Sequence, residues 1–130
     1  MIHLDTCVLV DALTGPRRSA AALRGLIEQG ERIAFSALVL YEWRRGPRHA
    51  EEVRVQEALF PADGAVPFGR ADAVLASDLY RQVKRPRGRE LDLAIAASAM
   101  LQDAQLWTLN PRDFMDIPGL RLLDAQSSRR

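Results

Sequence analysis

Four acidic side chains lie at positions that a solvated surface does not explain: Asp5, Glu42, Asp92 and Asp113. Each follows a short apolar segment or lies on a helix that comes after one. We therefore expect the four carboxylates to meet at one edge of a sheet. Carboxylates gathered at one edge repel each other and raise one another's pKa, unless a cation lies between them. The spacing thus favours a site for a divalent cation.

Each acid also has a simpler explanation. Asp5 and Asp92 both suit the N-cap of a helix. Glu42 is placed to pair with Arg45, one helical turn later, and Asp113 suits the polar turn in which it lies. Taken one at a time, these explanations stay open. Only the common location of the four acids favours the cation site.

The type of ligand narrows the choice of metal. Carboxylate oxygens without a cluster of His or Cys select Mg²⁺ or Mn²⁺ over zinc. His3 and His49 have no metal-ligand partner at a useful spacing. We interpret both as structural or surface residues.

The elements that must position these acids alternate along the chain. Strands are predicted at residues 1–4, 33–35, 65–68, 106–109 and 120–123, and the strand at 65–68 is placed near a sheet edge because Pro67 lacks an N–H donor. Helices are predicted after Asp5 or Thr6, at 17–29, from the cap Ser36 to Gly46, and at 49–60, 71–83 and 91–101. This alternation predicts an α/β domain with three layers, α/β/α, around a short, mainly parallel sheet.

Composition restricts the class of protein. The 130 residues predict one domain over residues 1–124, with a polar C-terminal tail at 125–130. The net charge of +1 gives no field that would recruit nucleic acid or membrane by itself, so any such binding depends on local clusters. One cysteine, no leader-like opening and no long apolar run lead us to expect a cytoplasmic protein without membrane contact.

Four segments together resemble a known family. They are Leu4-Asp5-Thr6 after a strand, Ser36 followed by Glu42 and Gly46, Asp92 in the segment 91–97, and Thr108 to Phe114 leading to Ile117-Pro118-Gly119-Leu120. In this order and at these separations, the chain resembles the PIN-domain ribonucleases, specifically the VapC-type toxins of toxin–antitoxin modules. The segments span essentially the whole chain.

The resemblance implies a PIN-like fold and an acidic site formed by Asp5, Glu42, Asp92 and Asp113. It also implies that Thr6, Thr108 and Asn110 support the site, that RNA is the substrate, and that a cognate antitoxin and a homodimer are partners. Cys7 departs from the asparagine that many relatives carry after the Asp-Thr pair. A thiol cannot supply two amide donors, which puts an orienting hydrogen bond from this position in doubt.

The chemistry that suits such a site is metal-assisted hydrolysis of a phosphodiester, with Mg²⁺ or Mn²⁺ held mainly by Asp5 and Asp92. Glu42 and Asp113 would complete the site through water or orient the attacking water. The alternative is a catalytically inactive PIN-like module that only binds RNA or protein. In that case Asp5→Asn would leave RNA intact and growth unaffected.

Two basic clusters are candidates for contacts to the RNA backbone: Arg44 and Arg45 near the end of one helix, and Arg85, Arg87 and Arg89 before the helix of Asp92. A solvated loop or an anchor for an acidic partner is the alternative. Base stacking would depend on Trp43, Tyr41 or Phe114. Trp43, Leu59 and Phe60, with the helix from Ala71, are candidates for an apolar interface.

Three other enzyme classes do not match the sequence. An aspartyl phosphotransferase needs a second aspartate at position 7, which is Cys7 here, and a cysteine phosphatase needs an arginine where Leu13 stands. An aspartic protease would carry glycine at position 7 and a β fold.

Overall fold

Three short parallel strands form the centre of the molecule in the computed structural model, which describes residues 1–124. They are β1 (Ile2–Leu4), β2 (Ile33–Ala34) and β3 (Gln105–Trp107), in the order β2-β1-β3. Ile2 pairs with Ile33 on one side and with Gln105 on the other. All of β1 is buried, as expected for an apolar segment in the central strand. The predicted α/β class with a short parallel sheet is confirmed.

The predicted strands at 65–68 and 120–123 are wrong as full strands. The first is reduced to one parallel bridge between Val66 and Ser36, because α3 begins at Ala37 and ends the partner segment there. The second is one bridge between Leu122 and Leu106. Its two hydrogen bonds join Leu106 to Arg121 and Leu123, and the chain before it is still in a turn, where the N–H of Leu120 donates to the carbonyl of Ile117. The predicted polar tail, residues 125–130, lies outside the described residues.

Within residues 1–124, six helices surround the sheet, in the places where periodicity predicts them. They are α1 (Thr6–Leu13), α2 (Ala20–Glu28), α3 (Ala37–Arg45), α4 (Ala50–Leu59), α5 (Arg70–Gln82) and α6 (Glu90–Leu101). Helix α2 starts three residues later than predicted because Arg17 adopts a left-handed φ of 54° in the preceding turn. As expected, Gly30 ends α2 with a φ of 87° that favours glycine.

Strand order determines where a site can form. From β1 the chain passes through α1 and α2 to β2 on one side, whereas from β3 it continues to the Leu122 bridge on the other side. The chain thus leaves the carboxyl ends of β1 and β3 in opposite directions. Crevices at such reversals are the usual ligand sites of open α/β sheets. Asp5 and Thr108 follow these two strands directly.

Two helices carry acids that must reach this crevice. Helix α3 begins at Ser36, whose hydroxyl accepts a hydrogen bond from the N–H of Val39 at 3.2 Å, and its Trp43 is fully buried. Helix α6 presents small buried residues, Ala96 and Ala99, which allow close packing against α5 and β3. The core thereby fixes the axes of both acid-bearing helices.

We expect Ser36→Ala to lower the free energy of unfolding by about 1 kcal/mol, because the first turn of α3 loses the acceptor of its cap. Urea unfolding followed by circular dichroism measures this. Ser77→Ala is the matched control, since the Ser77 hydroxyl is exposed and bonds only the Val74 carbonyl within α5. It should cost less than about 0.5 kcal/mol. Equal costs would contradict the role of the Ser36 cap.

Candidate active site

Asp5 lies at the carboxyl end of β1 with only 6% of its surface exposed. Its Oδ1 accepts a hydrogen bond from the N–H of Thr6 at 2.9 Å, so the predicted N-cap of α1 is confirmed. Its Oδ2 accepts from the Thr108 hydroxyl at 2.7 Å, and its N–H donates to the Trp107 carbonyl at 2.9 Å. The carboxylate of Asp5 therefore both caps α1 and belongs to the candidate site. Its orientation is fixed by Thr6, which follows β1, and by Thr108, which follows β3.

Cys7 adds a third hydrogen bond to Asp5. The thiol donates to Oδ2 of Asp5 at 3.2 Å, and its sulfur accepts from the N–H of Leu109 at 3.3 Å. Burial, followed by the charge of Asp5, raises the pKa of the Cys7 thiol to about 11. The thiol thus stays protonated and donates. The sequence left open whether residue 7 could orient the site by a hydrogen bond. In the structure Cys7 lies in the first turn of α1, close enough to Asp5 for its thiol to donate one.

Glu42 reaches the same edge from α3. Its Oε1 accepts a hydrogen bond from the Thr6 hydroxyl at 2.6 Å. Its Oε2 lies 3.4 Å from Arg45, which is a long contact for an ion pair between partly exposed groups. The Arg45 pairing expected from the i,i+3 spacing is therefore present but weak, and the contact to Thr6 ties Glu42 to the start of α1.

Asp92 is the third residue of α6, because the helix begins at Glu90 after Arg89. The N-cap role considered for Asp92 is therefore wrong, although the helix dipole still favours an acid in this turn. Within residues 1–124, no donor bonds its carboxylate. Burial, followed by the charges of Asp5, Asp113 and Glu42, raises the pKa of Asp92 to about 6, with Arg89 acting in the opposite direction. Its neighbour Glu90 is exposed.

Asp113 is exposed at the rim of the site, in a 3₁₀ turn over Pro111–Asp113. The N–H of Asn110 donates to the Thr108 hydroxyl at 3.1 Å, so these two polar residues shape the turn that follows β3. Arg89 holds the turn from the other side. It donates to the Asp113 carbonyl at 2.9 Å and pairs in bidentate fashion with Asp116 at 2.6 and 2.9 Å.

An open groove of about 470 Å³ joins these residues, which we call the acidic groove. Its lining includes all four predicted acids, together with Thr6, Cys7, Asp11 and Asn110. Asp11 was not among the predicted site residues. It lies four residues after Cys7, and this spacing places both side chains on one face of α1 and could have indicated Asp11. Asp11 accepts a hydrogen bond from Ser19 at 2.5 Å, which occupies one of its oxygens.

The donor set of this groove suits a hard divalent cation. Its ligands are carboxylate oxygens, and the pKa of Asp92 is raised by burial and then by repulsion from the other acids, both of which a cation would offset. Within residues 1–124, no three His, Cys, Asp or Glu side chains are close enough to enclose an ion. Mg²⁺ commonly keeps several waters and is bound through one or two carboxylates, so an open arrangement of this kind fits it.

The predicted basic residues differ in what they contact. Arg44 is paired with Glu57 at 2.8 Å, Arg45 lies over the Tyr41 ring beside Glu42, and Arg89 is engaged with Asp116. Arg85 and Arg87 are exposed, and no hydrogen bond or ion pair joins either to the rest of residues 1–124. In the loop before α6, the side chains of Arg85 and Arg87 are therefore unpaired within residues 1–124, whereas Arg89 links the loop to the 111–116 segment.

Several aromatic residues considered for surface roles are in the core. Trp43, Phe60 and Phe114 are buried, and the guanidinium of Arg48 covers the Trp43 ring at 4.3 Å. They are apolar side chains on the inward faces of their elements, which periodicity alone did not resolve. Tyr41 remains exposed for stacking at 57%, and Leu59 is exposed at the end of α4. His3 is buried in β1 and His49 is exposed before α4, as expected.

Comparison with known proteins places this geometry in a family. Residues 2–120 match the family model of the PIN domain. Ribonuclease VapC19 of Mycobacterium tuberculosis is 37% identical over 120 residues, which cover 91% of this chain and 95% of the relative. Within residues 1–124, no helix has the length and apolar character needed to cross a bilayer.

Solved structures have the same fold. The crystal structure of VapBC2 from Rickettsia felis, bound to a promoter DNA fragment, matches with a TM-score of 0.73 and 25% identity, covering 95% of this chain and 98% of that one. DNA-bound VapBC from Salmonella typhimurium matches with a TM-score of 0.76 and 19% identity, covering 95% and 97%. FitAcB from Neisseria gonorrhoeae matches with a TM-score of 0.73 and 20% identity, covering 97% and 99%.

The raised pKa of Asp92 leads to a prediction about stability. Since the folded-state pKa of about 6 exceeds the ordinary value of 3.8, the folded chain binds this proton more tightly, and stability falls as pH rises between the two values. Removing the charge should therefore stabilise the metal-free protein above pH 6. We expect Asp92→Asn in EDTA to raise the thermal midpoint by about 3 °C or more at pH 7.5.

This gain should shrink towards pH 4, where Asp92 of the wild-type protein is itself protonated. Asp63→Asn removes an exposed carboxylate from the turn before α5 and is the control, with little change expected at either pH. A gain that did not depend on pH would contradict the assignment to charge repulsion.

Proposed function

Since this chain belongs to the PIN domain family, among its VapC-type ribonucleases, we propose that it is a toxin that hydrolyses phosphodiester bonds within RNA at the acidic groove, with Mg²⁺ or Mn²⁺ as cofactor. The observation that carries this proposal is the meeting of four carboxylates, Asp5, Glu42, Asp92 and Asp113, at one topological reversal of a parallel sheet. The 37% identity to a ribonuclease from Mycobacterium tuberculosis supports RNA as the substrate class.

Asp5 and Asp92 are the residues we propose as the principal metal ligands. Asp5 is held by hydrogen bonds from three sides, whereas Asp92 has a carboxylate free of donors and a raised pKa. A bound divalent cation lowers the pKa of its water and neutralises charge that builds up on the phosphate oxygens. Without it, the groove would repel a phosphodiester, because its charged lining is acidic.

The other residues of the groove have supporting roles. The Thr6 hydroxyl donates to Oε1 of Glu42 and so fixes the orientation of this carboxylate at the end of the sheet. A carboxylate held in this way can orient the attacking water. Asp113 lies at the exposed rim and is placed to act through water. Thr108 and Asn110 fix the backbone that carries Asp113 and the carboxylate of Asp5. In the reaction, a water oxygen bonds to phosphorus, the bond to one ribose oxygen breaks, and that oxygen takes up a proton.

We also propose a cognate antitoxin and a homodimer as partners, in the cytoplasm. The matched structures from Rickettsia felis and Salmonella typhimurium are of VapBC proteins bound to DNA, which supports a partner protein for this chain. The domain proposed for this activity is residues 1–124, because all four acids and both strands of the reversal lie within it.

Cleavage of total cellular RNA by the purified chain tests this function. We expect discrete fragments with Mg²⁺ or Mn²⁺ and none in EDTA. Asp5→Asn and Asp92→Asn should each lower the rate by about 100-fold or more, the usual cost of removing a group that stabilises developing charge. Gel analysis of a time course measures the rates.

Glu28→Gln is the control for that experiment, because it removes one exposed carboxylate from the end of α2, away from the groove. It should cleave like the wild type. Intact RNA in every lane of a folded, antitoxin-free preparation would favour the non-catalytic binding module. Equal cleavage with and without EDTA would overturn the metal requirement.

The thiol of Cys7 gives a separate prediction. Cys7→Ala removes one donor to Asp5 and the acceptor for Leu109, so we expect kcat to fall by about 10-fold while KM for RNA stays constant. Cys7→Asn supplies an amide donor and an amide acceptor and should recover most of the rate. Single-turnover and steady-state kinetics on one RNA measure both constants. A full rate in the alanine variant would show that Thr6 and Thr108 suffice to orient Asp5.

A further inference from the structure

A second groove opens beside the acidic groove and has the opposite charge. It has a volume of about 560 Å³ and is lined by Lys84, Arg85, Arg89, Arg112, Asp113 and Asp116. We call it the basic groove. Asp113 lines both grooves, so the two meet at the exposed rim of the proposed active site.

Three cations of the basic groove have no partner in the described part of the chain. Lys84, Arg85 and Arg112 are exposed, and neither a hydrogen bond nor an ion pair joins them to other residues of 1–124. Most other arginines on helices differ in this respect. Arg44, Arg54 and Arg81, for example, each pair with an acid on the same helix or a neighbouring one. The groove therefore presents unneutralised positive charge.

The acids of the basic groove do not cancel this charge. Asp116 is engaged in the bidentate pair with Arg89, which also lowers the pKa of Asp116. Arg89 also donates a hydrogen bond to the Asp113 carbonyl. This bond connects the loop that carries Lys84 and Arg85 to the segment that carries Arg112. The two walls of the groove are thus joined at its base, which gives the free cations a defined separation.

We infer that the basic groove binds the phosphates of the RNA strand next to the bond that is cleaved in the acidic groove. This inference rests on the proposed function. A strand whose scissile phosphate lies among carboxylates carries further phosphates on both sides, and those leaving at Asp113 enter the basic groove directly. Lys and Arg contacts of this kind position a strand without reading its sequence. An acidic peptide would have no comparable reason to extend into the carboxylates.

The salt dependence of RNA binding tests the inference, because each phosphate contact adds about 0.7 to the slope of log affinity against log salt for a single strand. The probe is a short fluorescent single-stranded RNA, and binding is followed by anisotropy with Mg²⁺ in proteins that also carry Asp92→Asn, so that the bound RNA is not cleaved. Cleavage is assayed separately, without that substitution. For the double variant Lys84→Gln/Arg112→Gln we expect the slope to fall by about 1.4, equally for RNAs of different sequence.

The double variant Arg24→Gln/Arg32→Gln is the matched control. It removes two exposed arginines, one on α2 and one directly before β2, whose side chains have no partner within residues 1–124. Its slope should equal that of the wild type. Thermal midpoints of both variants check that the fold is unchanged, and all substituted side chains are exposed.

The outcomes separate this inference from the proposed function. An unchanged slope in the groove variant, in a protein that still cleaves RNA, overturns the inference and leaves the function intact. A lowered slope in a protein that never cleaves supports the groove and overturns the function. If the groove variant loses binding of a polyglutamate peptide but keeps its RNA slope, the groove serves an acidic protein partner, and the inference is wrong.

Discussion

Repulsion among like charges at the end of the sheet is the constraint on which the rest of this structure depends. The carboxyl ends of β1 and β3 lie side by side, and the helices α3 and α6 bring two further acids to the same edge. Burial and the neighbouring charges together raise the pKa of Asp92 to about 6. A fold can keep such an arrangement only if other bonds hold each acid in place.

The four acids are held in place by different interactions. Asp5 is held by hydrogen bonds from Thr6, Cys7 and Thr108, and Glu42 by the hydroxyl of Thr6. Asp92 is held by the close packing of α6, and Asp113 by the turn that Arg89 fixes. Thr6 is notable because its N–H bonds one acid and its hydroxyl another. The start of α1 therefore sets the relative position of the acids on β1 and α3.

Much of this arrangement could be predicted from the sequence. Helical periodicity and caps placed all six helices, and the four acids were identified by their location after apolar segments. The reduction of the strands at 65–68 and 120–123 to single bridges could not be predicted, because it depends on where α3 begins and on a turn that runs to Leu120 rather than on a residue pattern. The engagement of Arg89 with Asp116 was also missed, since the two are 27 residues apart and neither has a distinctive neighbourhood in the sequence.

Arg89 connects two segments of the chain that each carry an acid of the proposed active site. Arg89 immediately precedes α6, and its guanidinium grips the segment that carries Asp113. The beginning of α6 and the 111–116 segment are thereby coupled into one unit, and Asp92 and Asp113 move with it. The same guanidinium joins the two walls of the basic groove. One side chain therefore sets the offset between the two grooves, so the loss of Arg89 would misalign both of them at once.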